Sequence, residues 1–175
     1  MLKVETGDVP MRVLVAVDDM TYGQAIANFV ASHKWTDDTQ FKIIHAIHVD
    51  ELTYVTNDQF CCSLAKDLIE ERDRRARSLV KGLAAQIQAK LPNAKIEEEI
   101  IFGKAKDVIL DQADSWHADM VVVGSHGKSG ISRFLLGSVS LSVLSHAPCS
   151  VMIVKLPKEH DKETAKHAAE ATAKK

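Results

Sequence analysis

Short apolar runs alternate with longer stretches carrying apolar residues at helical spacing, and this alternation decides what the chain can fold into. Residues 11–17, 41–49, 95–102, 118–123 and 149–154 read as strands. The first, Met11-Arg12-Val13-Leu14-Val15-Ala16-Val17, is nearly all apolar, as in a central strand covered on both faces. The third mixes in polar residues, which suits an edge. Residues 21–33, 57–91, 104–116 and 137–146 read as helices, the long one with a stripe of Leu64, Leu68, Ala76, Leu79, Val80, Leu83 and Ile87. Strands that alternate with helices build βαβ units and a parallel sheet. Right-handed crossovers then put helices on both faces. The expected fold is one Rossmann-like α/β domain with a five-stranded parallel sheet.

A chain of 175 residues suits one domain. By size scaling it can bury about 70% of the surface of its unfolded state. The net charge of −2 gives no reason to expect nucleic acid or an anionic membrane as partner. Aromatics at 5% argue against base-stacking RNA modules. Cys61, Cys62 and Cys149 show neither CxxC nor zinc-ligand spacing, and their odd number fits a reducing compartment. There is no signal segment and no apolar run near the roughly 18 residues that span a bilayer. The expectation is a soluble cytoplasmic protein. Residues 1–10 read as a lead-in and 11–155 as the domain. The Ala/Lys/Glu-rich residues 156–175 read as a disordered tail or a solvated helix.

Chemistry concentrates after the fourth strand. There Gly124-Ser125-His126-Gly127 is followed by nine residues and then Gly137-Ser138. A glycine-rich loop between a strand and a helix start can offer bare amides to phosphate. Ser138 has the residue type of an N-cap for the helix it opens. Generic motifs do not fit. Only two residues separate Gly124 from Gly127-Lys128-Ser129, where a P-loop needs four. Neither a GxSxG elbow nor a dinucleotide GxGxxG is present.

The pattern Val121-Val122-Val123-Gly124-Ser125-His126-Gly127-Lys128-Ser129-Gly130, then Phe134-Leu135-Leu136-Gly137-Ser138-Val139-Ser140, resembles the universal stress protein family, in particular its ATP-binding branch. Asp18 closing the first strand, Ile44-His45-Ala46, Gly103 and the segment Pro148 to Val154 fit the same resemblance, which covers about residues 11–155. It implies an adenine nucleotide alpha hydrolase-like fold that binds ATP (or AMP or ADP). Asp18 would lie near ribose or adenine, and Ala46 would line the adenine pocket. Gly124, Ser125, His126 and Gly127 would form the loop by ribose and phosphates. Gly137, Ser138 and Val139 would hold phosphate through amides and the Ser138 hydroxyl. The resemblance also implies a homodimer joined through the last strand, Val151 to Val154.

This chain has Asp19 and Met20 where the family often has a small residue and a serine. A second carboxylate there either points to solvent or helps hold Mg2+ beside the triphosphate. His126, Lys128 and Arg133 either reach phosphate or cover the loop. His45 reads as a hydrogen-bonded structural residue, and Trp35 and Trp116 as packing residues. The run 70–75 reads as a solvated helix face with i,i+4 ion pairs. No constellation amounts to a catalytic site. The expected function is a nucleotide-dependent regulator in stress response. The alternatives are a slow ATPase or phosphotransferase with the same site, and an interaction module that uses ATP as a switch toward an unknown regulatory protein.

Overall fold

Five parallel strands pair in the order β3-β2-β1-β4-β5. The computed structural model describes residues 10–48, 59–125 and 136–156. The strands are β1 (Arg12–Ala16), β2 (Gln40–Ile47), β3 (Lys95–Phe102), β4 (Met120–Gly124) and β5 (Ser150–Val154). The helices are α1 (Met20–Ser32), α2 (Gln59–Lys90), α3 (Ala105–Ser115) and α4 (Ser138–His146). The Rossmann-like parallel sheet expected from the alternation is the one that forms.

Side-chain alternation along the strands divides the core in two. Val13, Val15, Ile43 and Val122 face α1 and α2, where Ile26, Val30, Val80, Leu83 and Ile87 close over them. Leu14, Ala16, Ile44, Val121 and Val123 face α3 and α4, packing on Val108, Ile109, Ala113 and Val143. Central strands covered on both faces have no solvent side, so β1 and β4 carry unbroken apolar runs. β3 does lie at an edge, with Glu97 and Glu98 exposed and Lys42 of β2 bridging to Glu97 and Glu99. Charge on an edge strand discourages pairing with another chain.

The apolar stripe of α2 holds over its C-terminal half, where Ala76, Val80, Leu83 and Ile87 are buried. Leu68 departs from it and is 46% exposed. Helix length explains this. At about 1.5 Å per residue, α2 runs ~48 Å, whereas an eight-residue strand covers only ~26 Å. The early turns of α2 therefore overhang the carboxyl edge of the sheet, where Arg72 reaches the His48 carbonyl. The charged run there is solvated as expected, with Glu71 bridging Arg74 and Arg75 and Asp73 bridging Arg77.

Trp35 and Trp116 are packing residues. The Trp35 ring stands edge-on to Phe41, and its Nε1–H donates to the Val30 carbonyl at 2.7 Å. Trp116 lies under the Lys42 ammonium and accepts a hydrogen bond from Arg12 on its carbonyl. Among the described residues, no helix is long and apolar enough to cross a membrane.

Two glycines make opposite demands. Gly103, after β3, has φ +154°, and a Cβ there would stand 2.8 Å from Val108 Cγ2. A Cβ on Gly82, exposed in α2, would meet nothing within 4 Å. Gly103→Ala is therefore expected to cost about 1–3 kcal/mol. Gly82→Ala should stabilise by about 0.4–1 kcal/mol, because it only restricts the unfolded chain and raises helix propensity. Urea unfolding of both variants checks the pair of signs.

Candidate functional site

From β1 the chain winds outward through β2 and β3, then crosses back to lay β4 on the other side of β1. The strand order thus reverses between β1 and β4, and their carboxyl ends open a crevice there. Asp18 and Asp19 follow β1, and Gly124 ends β4. Asp18 is exposed at this edge. Asp19 has extended backbone and caps α1, its Oδ1 accepting the Tyr22 N–H at 2.9 Å. Of the two roles expected for Asp19, solvent or a metal, neither describes that oxygen, which serves the helix start. Among the described residues no group of three or more His, Cys, Asp or Glu side chains could hold a metal ion.

Ser125 fastens the crevice floor. Its N–H donates to the Val154 carbonyl at 2.8 Å, and its carbonyl accepts the Gly137 N–H at 2.8 Å. Ser140 Oγ donates to the Gly124 carbonyl at 2.7 Å. Ser125 and Ser140 are both buried, so these bonds replace water that neither could otherwise reach. Together they fix the start of α4 against the ends of β4 and β5.

This changes the roles expected along Gly137, Ser138 and Val139. Gly137 is the N-cap, with φ −61° and ψ 155°, and its carbonyl accepts the first helical bond from Leu141. Ser138 is one residue into the helix and is not the cap, and its hydroxyl is exposed. The Gly137 amide is committed to Ser125. The amides of Ser138, Val139 and Ser140 lie in the first turn, where no intrahelical carbonyl reaches them. They are the donors this helix start presents to an anion.

Ala46 lies on the far side of β1. In a parallel strand, residues two apart turn their peptide groups the same way. Ile44 turns toward β1, where its carbonyl accepts the Val17 N–H at 3.0 Å. Ala46 therefore turns the same way, two positions past the final register pair Ala16–Ile44. The next carbonyl of the first strand, that of Val17, is taken by His45, whose Nδ1–H donates to it at 2.8 Å. His45 is thus the structural, hydrogen-bonded residue expected. Ala46 itself is half-buried against the α3 face.

His126, Gly127, Lys128 and Arg133 lie outside the described residues. Tyr22 was missed in the sequence, where it is one aromatic on a helix face with no motif around it. Its ring packs on Gly124. An ideal Cβ on Gly124 would stand 2.8 Å from Tyr22 Cδ1 and 3.0 Å from Cγ.

A five-stranded parallel sheet in this order, with a crevice at its reversal point and a helix start beyond β4, defines a Rossmann-like α/β protein. The model of the universal stress protein family matches residues 11–155, and the chain belongs to that family. Relatives include universal stress protein Sll1388 of Synechocystis, 28% identical over 151 residues, covering 82% of this chain and 97% of that protein. Another is universal stress protein A homolog 2 of Coxiella burnetii, 33% identical over 121 residues, covering 68% and 76%. Among solved structures, UspA of Lactobacillus plantarum superposes with TM-score 0.67 at 20% identity, over 82% of this chain and 97% of that one. An Arabidopsis thaliana family member with AMP bound gives TM-score 0.61 at 19% identity, over 86% and 95%. A universal stress protein in complex with cAMP gives 0.57 at 20% identity, over 85% and 98%.

The capping role of Asp19 is testable. Asp19→Ala should lower unfolding free energy by about 1 kcal/mol, whereas Asp19→Asn, which keeps an acceptor oxygen, should stay near wild type. Equal losses in both variants, measured in urea, would assign the effect to charge rather than to the cap.

Proposed function

We propose that this chain binds an adenine nucleotide, ATP among them, across the crevice between β1 and β4, and acts as a nucleotide-dependent regulator in the stress response. The observation that carries the reading is the start of α4, whose first-turn amides have no intrahelical partner and whose position at the end of β4 is fixed by Ser125. The bound AMP and cAMP of the two related structures support it as neighbours of the same fold. Ser138, Val139 and Ser140 would donate main-chain hydrogen bonds to phosphate. Asp18 would accept from ribose hydroxyls. Ala46, with its peptide groups turned past the end of β1, would meet the adenine edge. Gly127 and His126 complete the loop in this reading.

The energies set the scale. Three hydrogen bonds to a charged phosphate contribute about 5–9 kcal/mol, taking roughly 1.5–3 kcal/mol each. Association costs about 4–15 kcal/mol in lost freedom. Phosphate contacts alone then leave little surplus, and the base and sugar must add to it. An affinity on the order of micromolar, near −8 kcal/mol, is the consequence.

The protein purified without added nucleotide should release an adenine nucleotide on denaturation, read by mass spectrometry. Calorimetry should give micromolar binding of ATP or AMP to the emptied protein. Gly127→Val and Gly137→Val should abolish both while leaving a cooperative melt. Retained wild-type occupancy in both variants would place the nucleotide elsewhere.

The same reading includes a homodimer through β5. Ser150 donates to the Asp119 carbonyl and Val154 accepts from Ser125, so even-numbered residues of β5 face β4. Val151 and Ile153 then turn their peptide groups to the open edge. Beside them on α4, Leu141 and Leu144 are about half exposed, at 52% and 48%. An apolar edge with unpaired peptide groups invites a second copy. Light scattering should show a dimer for the wild type and a folded monomer for Val151→Lys.

A further inference from the structure

Glycine at position 124 has a cause that its sequence context hides. The residue belongs to β4, paired in register with Val154. Among the described residues, Gly103 is the only glycine with positive φ. The backbone at Gly124 is therefore open to any residue type, and what excludes a side chain is the space around it. Met120 and Val122, four and two positions earlier on the strand, face α1 and α2. A Cβ on Gly124 would point the same way. It would meet the Tyr22 ring at 2.8 Å from Cδ1, 3.0 Å from Cγ and 3.1 Å from Cβ. All three atoms are near the root of the side chain, so a rotation at its far end gives no relief. The helix start that carries the ring is itself fixed, since the Tyr22 N–H donates to the Asp19 cap.

The location gives this packing a consequence. Tyr22 stands one turn into α1, just after Asp18, and its ring closes the α1 side of the crevice where the strand order reverses. The start of α4, with its first-turn amides, lies on the opposite face, where Val139 and Val143 pack with the α3 side chains. A ligand with phosphate on those amides and a hydroxyl partner at Asp18 spans the end of β4 between them. In a nucleotide the sugar is the part joined directly to phosphate, so the sugar passes over Gly124 and beside Tyr22. We propose that Tyr22 is a specificity-determining residue: its ring, seated on the bare Cα of Gly124, limits the bulk that the sugar of the bound nucleotide can carry. This rests on the nucleotide reading above and deepens it. Gly124, on this view, is glycine to seat Tyr22.

The test compares ATP with its 2′/3′-O-(N-methylanthraniloyl) ester, which adds an aromatic group to the sugar hydroxyls. Affinities are measured by calorimetry on wild type, Tyr22→Ala, Tyr22→Phe, Gly124→Ala and the double variant Tyr22→Ala/Gly124→Ala, each checked for a cooperative melt. Wild type should prefer ATP by about ten-fold or more, the scale on which a pocket wall rejects extra groups. Tyr22→Ala should reduce that preference to within about three-fold, and Tyr22→Phe should restore it because the ring remains. Gly124→Ala alone should weaken ATP binding as its methyl drives the ring into the crevice, and the double variant should recover the affinity of Tyr22→Ala. An unchanged preference in Tyr22→Ala overturns the proposal, as does a double variant no better than Gly124→Ala. Wild type that binds neither ATP nor its ester overturns the nucleotide reading along with it.

Discussion

The start of α4 depends on one residue, Ser125. Its N–H closes the ladder to β5 and its carbonyl holds the amide of Gly137, with the Ser140 hydroxyl on the neighbouring Gly124 carbonyl. Ser125 and Ser140 are buried, and leaving one of their bonded groups unpaired would cost about 1–3 kcal/mol. That penalty ties the start of α4 to the end of β4 even though residues 126–135 lie between them in the sequence. A helix start can favour an anion only where its amides are already aimed. Here the aim comes from bonds within the framework, so a ligand need not supply the ordering itself.

Most of the fold was legible because parallel strands covered on both faces must be apolar throughout. β1 and β4 show this in Val13 to Val17 and Val121 to Val123. The edge position of β3 was legible for the opposite reason, in the polar residues that water permits. Legibility failed where a distant partner decided the outcome. Ser138 has the chemistry of a cap, yet the cap is Gly137, because a tertiary bond from its amide to Ser125 sets where the helix begins. Leu68 has the right spacing for the core, yet spacing does not say where the sheet beneath a 32-residue helix ends. Asp19 resembled an extra charge near phosphate, but the first turn of α1 claimed its oxygen.

The glycines separate these two kinds of information. Gly103 is required by its own backbone, which holds a φ of +154° that side chains rarely adopt, and a turn signal in the sequence suffices to find it. Gly23 is favoured but not required by packing: a Cβ there would stand 2.8 Å from Leu83 Cδ1, the end of a flexible side chain that can give way. Gly124 is required by packing, against the root of an aromatic side chain rather than its flexible far end. In the sequence it looks like part of a loop kept bare for a ligand. In the fold its missing side chain is already replaced by Tyr22, a residue about a hundred positions earlier. On the proposed reading the same glycine serves both ends: the Tyr22 ring takes the α1 side, and the first-turn amides of α4 lie on the other. A phosphate approaching from there meets donors first. Bulk approaching from α1 meets an aromatic wall. On the proposed reading, the two sides of the crevice then differ through the placement of one small residue between two helices.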